Sequence, residues 1–127
     1  MQPTDEELAF VSELNGQSFT QSMEDPAVKK ALTDWSQCMT DAGYAGLATP
    51  FEAADSVPHG EGKASQEEIA VALAEIDCKK KTGLVAVWFA KEVKIQKKLI
   101  AQHKDKLSDI RTRNSSAVTA ANAKLAQ

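Results

Sequence analysis

Apolar residues recur along this chain at helical spacing, in stretches that open on recognisable start signals. Thr4-Asp5-Glu6-Glu7 has the form of a capping box, a threonine followed three residues later by glutamate. Behind it Leu8, Val11, Leu14, Ser18/Phe19 and Ser22/Met23 keep a helical period, with Gly16 as a weak point. Asp25-Pro26 is a second start, an acidic N-cap before a proline whose missing N–H costs nothing at that position. Val28, Leu32, Trp35, Met39 and Ala42 follow as a clean stripe, and Gly43 is a natural stop. Residues 43–64 hold four of the six glycines and two of the four prolines and form the one long irregular segment. Within it, Thr49-Pro50-Phe51-Glu52 predicts a short helix over about residues 50–56.

Ser65-Gln66-Glu67-Glu68 opens a stronger helix, with Ile69, Leu73 and Ile76 on one line and Val71 and Cys78 on another. Apolar residues on both lines predict a central position. A long C-terminal stripe then runs through Leu84, Trp88, Ile95, Leu99, Leu107 and Ile110, and weakly through Val118, Ala121 and Leu125. Unbroken, residues 65–125 would make a rod of roughly 90 Å at 1.5 Å per residue, so a turn or kink is expected at Thr82-Gly83. Strand-like alternation is absent from the pattern. The expectation is an all-α single domain over residues 1–127, a compact bundle of about four helices plus one short one. Fraying is expected at 1–3 and 112–127.

Composition changes this picture little: 43% hydrophobic and 26% charged residues in 127 are ordinary for a globular chain able to bury its own core. No apolar run reaches the ~18 residues of a membrane span. The start lacks the basic and apolar regions of a signal peptide, and is equally compatible with a mature segment behind a placed Met1. Charge is more informative. Residues 1–77 carry fifteen acids and three lysines, and residues 78–127 twelve basic residues and three acids, which gives −12 and +9. Either the basic C-terminal helix packs against acidic ones, or it presents a basic surface to anionic lipid or wall polymers. Nucleic acid is not expected, because aromatics do not interleave with the lysines.

Candidate chemistry is sparse. Gly60-Glu61-Gly62-Lys63-Ala64 fails as a phosphate loop, with Val57 in place of the first glycine and Ala64 in place of the magnesium-binding hydroxyl. The acidic pairs sit in first helical turns, where the helix dipole favours them. Cys38 and Cys78 have no histidine nearby in sequence to activate a nucleophile, although His59 and His103 are present. Metal spacing is absent, and a copper(I) set with Met23 and Met39 conflicts with the core position of Met39. The two cysteines are open to two readings, buried free thiols or, in an oxidising compartment, a pair whose closure would contribute roughly 3–4 kcal/mol. No cofactor and no catalysis are expected.

Trp35-Ser36-Gln37-Cys38-Met39, Gly43-Tyr44, Glu68 to Ala72, Asp77-Cys78-Lys79, Lys81-Thr82 and Leu84 to Trp88 together resemble small secreted lipoproteins of actinobacteria. In that group a W-x-x-C-M element is followed by a second cysteine element, and the similarity here covers roughly residues 20–105. Within it the chain is similar to the lantibiotic self-resistance lipoproteins of producing strains. The resemblance implies a Cys38–Cys78 disulfide and a location outside the cytoplasm, on the outer face of the membrane through an N-terminal lipid anchor. It also implies protection of the producer, by binding its own lantibiotic or shielding lipid II. The expected receptive surface comprises Tyr44, Leu47 and Phe51 in the glycine-rich segment, with Glu52 and Asp55 attracting cationic groups. The alternative expectation is a structural or adaptor protein of the envelope. It would turn Lys91, Lys94, Lys97 and Lys98 toward anionic lipid, wall polymer or a transporter subunit.

Overall fold

The computed structural model describes residues 4–58, 60 and 62–126. Among them the chain is all-α, with six helices and no strand: α1 (Asp5–Glu24), α2 (Pro26–Asp41), α3 (Pro50–Asp55), α4 (Gln66–Thr82), α5 (Leu84–Gln102) and α6 (Lys104–Leu125). The expected fraying at residues 1–3, the histidine His59 and Glu61 of the glycine turn lie outside the described residues, as does Gln127.

Local chemistry sets the helix boundaries. Thr4 opens α1, its Oγ1 accepting the Glu7 N–H at 3.1 Å. Asp25 caps α2, its Oδ1 accepting from the Ala27 N–H at 2.8 Å with Pro26 in the first turn. Both α3 and α4 start on complete capping boxes, Thr49 with Glu52 and Ser65 with Glu68. Each box satisfies two of the N–H groups that a helix start leaves over. Gly83 ends α4 in the left-handed conformation at φ 65°, which a residue without Cβ adopts at no steric cost.

Residues form two compact units, 22–91 and 1–21 with 92–127, so α1 and α5 contribute to both. In unit 22–91, α2 supplies Val28, Leu32, Trp35 and Met39, all under a tenth exposed. Their i, i+4, i+7, i+11 spacing makes one buried stripe, worth about 1.5–3 kcal/mol per large side chain. Ala53, Val71, Cys78 and Leu84 close the core from α3, α4 and α5, and α4 packs on α2 and α3. The Cys38 and Cys78 sulfurs stand 2.11 Å apart, at disulfide distance, and the two Cα atoms are 5.7 Å apart. They link α2 to α4. Trp88 Nε1 donates to the buried Ser22 Oγ at 2.7 Å, while the Nε1 of buried Trp35 has no acceptor among the described residues.

In the other unit Leu14, Leu99 and Ile110 are buried. Glu7, only 6% exposed, receives Arg113 Nε at 3.0 and 3.1 Å on its two carboxylate oxygens. Phe10 meets the His103 ring edge-on at 5.3 Å and carries Lys106 Nζ 4.0 Å from its centroid.

Three expectations change. The stretch from Leu84 is two helices, not one long C-terminal helix, because His103 leaves the helical region at φ −118°, ψ 29° with its ring against Phe10. His103 N–H still bonds Leu99 O and Leu107 N–H bonds His103 O, so the break is one residue long and leaves the apolar period intact. Second, α4 is not central: Val71 and Cys78 are buried, but Ile69, Leu73 and Ile76 are 48%, 63% and 46% exposed. Third, α1 buries a partly polar line, Glu7, Leu14, Ser18 and Ser22, and leaves Leu8 and Val11 exposed. Those polar groups can be buried because they are paired, Glu7 with Arg113, Ser18 with Glu92 and Ser22 with Trp88. Past Ile110, α6 stays helical through Leu125 with its side chains mostly exposed.

Candidate functional site

Where α2 ends, the chain turns through Gly43 at φ 99°, and the Tyr44 N–H bonds back to Met39 O at 2.8 Å. The turn sets Tyr44 half-buried against the core. Leu47 is held alongside the same core, its carbonyl accepting from Ser36 Oγ at 2.6 Å. Val57, just after α3, packs there as well. These three side chains and the α4 residues Glu67, Ala70 and Val71 wall an open groove of about 730 Å³.

A smaller groove of about 320 Å³ lies between α3 and α4. Ala53, Ile69 and Ala72 line it, with Glu68 and Glu75. Val57 and Val71 line both grooves, so the apolar surface is continuous around the end of α3. Glu68 also serves in the α4 capping box, and Glu75 is ion-paired with Lys79. Glu67 is exposed on the wall of the larger groove. An apolar floor with the exposed Glu67 on its wall can receive an amphipathic ligand carrying positive charge.

Of the five residues expected at a receptive surface, the structure brings Tyr44 and Leu47 together on one wall. Phe51, Glu52 and Asp55 do not line that groove. Phe51 is 55% exposed with its ring edge-on to Trp88, centroids 6.2 Å apart. Glu52 is engaged locally, Oε2 accepting the Ala48 and Thr49 N–H groups at 2.8 and 2.9 Å. That engagement leaves it a capping group. Asp55 is exposed at the last position of α3. Sequence reading passed over Val57, Ala70 and the Glu67 side of α4, although Glu67, Ala70 and Val71 share a face by i, i+3, i+4 spacing.

Among the lysines, Lys91 Nζ lies 3.8 Å from Asp25 Oδ2, and Lys94, Lys97 and Lys98 are exposed on α5. Lys81 donates to Asp77 at 2.8 Å, and this hydrogen bond and the carboxylate charge hold its ammonium above the ordinary lysine value. Both cysteine sulfurs are in the Cys38–Cys78 pair. Among the described residues there is no cluster of three or more His, Cys, Asp or Glu side chains able to hold a metal, and no helix is long and apolar enough to cross a membrane.

Set against family models, curated proteins and solved structures, the chain matches none.

Proposed function

We propose that this chain is an extracytoplasmic immunity lipoprotein that protects a lantibiotic producer by binding the lantibiotic itself. The observation that carries the reading is the groove of Tyr44, Leu47, Val57, Ala70 and Val71 with Glu67 on its wall. Lantibiotics are compact, ring-constrained peptides whose apolar faces suit such a floor, and a cationic group would find a carboxylate beside it. The Cys38–Cys78 pair supports a compartment where thiols oxidise, which fits a protein held outside the cytoplasm by an N-terminal lipid anchor. Shielding of lipid II is the other route to the same protection, and the same titration separates the two.

The test is an NMR titration of the isotope-labelled, oxidised chain with the producer's lantibiotic and, separately, with lipid II. Saturable shifts at Tyr44, Leu47, Val57, Ala70 and Val71 with the lantibiotic are expected. Tyr44→Ala should weaken that binding roughly tenfold, the loss of one central aromatic contact. Phe51→Ala should leave it unchanged, since Phe51 lies off the groove wall. Silence from every resonance with both ligands at about 1 mM would remove capture in solution from consideration.

A further inference from the structure

A second surface of unit 22–91 has a different chemistry from the groove. On the first two turns of α5, Val85 is 59% exposed and Phe89 68%, four residues apart and therefore on one face. Ala86 and Ala90 are exposed beside them, so the solvent-facing positions from 85 to 90 are all apolar. Phe51, itself more than half exposed, joins this end of α5 through its edge-on contact with Trp88. Neither groove described above is lined by Phe51, Val85 or Phe89.

The charged residues of the chain segment that carries this face are all basic. Residues 79–91 contain four lysines and no acid. Lys80 is exposed and has no ion pair among the described residues. Lys79, Lys81 and Lys91 meet Glu75, Asp77 and Asp25, and the Lys81–Asp77 pair is well exposed, where such pairing is weak and easily exchanged. Protruding aromatic and branched side chains beside long, flexible lysines are the combination that settles at the boundary between head groups and acyl chains. A lipid surface asks for no shape-matched recess, and this face offers a ridge. A protein partner of matching charge would have to bring both an acidic rim and an apolar cleft.

We propose that the Val85–Phe89 ridge of α5, with Phe51 joined to it through Trp88 and the exposed Lys80 five residues before it in the chain, docks on an anionic lipid surface. The proposal does not rest on capture of a peptide in the groove, and its failure would leave that reading untouched.

The experiment uses the full, oxidised chain and vesicles of phosphatidylcholine, with and without about one-third phosphatidylglycerol. Co-sedimentation and the emission maximum of the tryptophans are read at low and at moderate salt. Binding to the anionic vesicles, with a blue shift and with loss on adding salt, is expected. The double variant Val85→Ser/Phe89→Ser should lower the partition coefficient at least about tenfold, and Lys80→Glu about fivefold. Both sites are exposed, so circular dichroism and thermal midpoint should stay those of the wild type, which excludes unfolding as the cause. Absence of binding to anionic vesicles at low salt overturns the proposal, as does binding that the double variant leaves unchanged. So does a wild-type dimer in sedimentation velocity that the double variant converts to monomer without any lipid binding, which would make the ridge a contact between two copies.

Discussion

Opening the Cys38–Cys78 link is the perturbation whose size follows most directly from the structure. The two residues are 40 apart in sequence and join α2 to α4 inside unit 22–91. In the chain-entropy account, freeing a loop of that length gives the unfolded chain about 13 cal/mol/K, or about 4 kcal/mol at 25 °C. Reduction of the wild type is the cleaner comparison, because it changes two hydrogens and no packing. Cys38→Ala/Cys78→Ala also removes both sulfurs, that of Cys78 from a residue 1% exposed, and should lose about a further 1 kcal/mol. Both tryptophans, Trp35 and Trp88, belong to the same unit, so their fluorescence during urea unfolding reports on it. With m-values of about 1–2 kcal/mol/M, the midpoint should fall by about 2–4 M on reduction. The m-value itself should rise, since the reduced unfolded chain exposes more surface. A loss under about 1 kcal/mol with an unchanged m-value would refute the reasoning, because the link would then constrain nothing that native packing had not already fixed.

Two further outcomes test the rest of the fold. Arg113→Ala leaves the Glu7 carboxylate, on a residue 6% exposed, with the Thr4 hydroxyl but without its cation, and should weaken the unit of α1 and α6 by about 1–3 kcal/mol. Faster amide exchange along both helices checks this, and Glu7→Gln combined with Arg113→Ala should recover part of the loss. Gly83→Ala places a Cβ in open space at φ 65°, so the whole expected loss, about 1 kcal/mol, is backbone strain at the α4 stop. A lowered melting temperature for alanine, and a smaller drop for Gly83→Asn, is the expected pair of results.

Helix starts were legible because they depend on neighbours in sequence. Thr49 with Glu52, Ser65 with Glu68 and Asp25 with Pro26 act where they were expected, as does Gly83. The α2 stripe was equally clear, since Trp35 and Met39 have no alternative apolar face on that helix. On α4 two apolar lines compete, and which one turns inward is decided by α2 and α3, not by the helix itself. The buried serines of α1 look like surface residues until Glu92 and Trp88 reach them from more than sixty positions away. His103 is invisible to periodicity because a one-residue break leaves Leu99, Leu107 and Ile110 in phase. At the candidate site, Tyr44 and Leu47 could be read from an apolar pair in a glycine-rich segment. Phe51 could not be placed, because its neighbour Trp88 is distant in sequence, and Glu52 was available to two roles of which capping won.

Three of the helix junctions consist of a single residue: Asp25 between α1 and α2, Gly83 between α4 and α5, and His103 between α5 and α6. A junction that short has no slack to absorb a change in chain length. One residue added within the last turn of α4 would rotate everything after it by about 100° around the helix axis, and would point the Leu84 stripe away from its core. Insertions and deletions are therefore expected to concentrate between α2 and α4, where the chain runs through turns and the short α3. That stretch also supplies Tyr44, Leu47 and Val57 to the groove wall. Length variation during divergence would thus fall on the groove wall and spare the helical frame, so that the surface proposed to take a ligand could change on an unchanged scaffold.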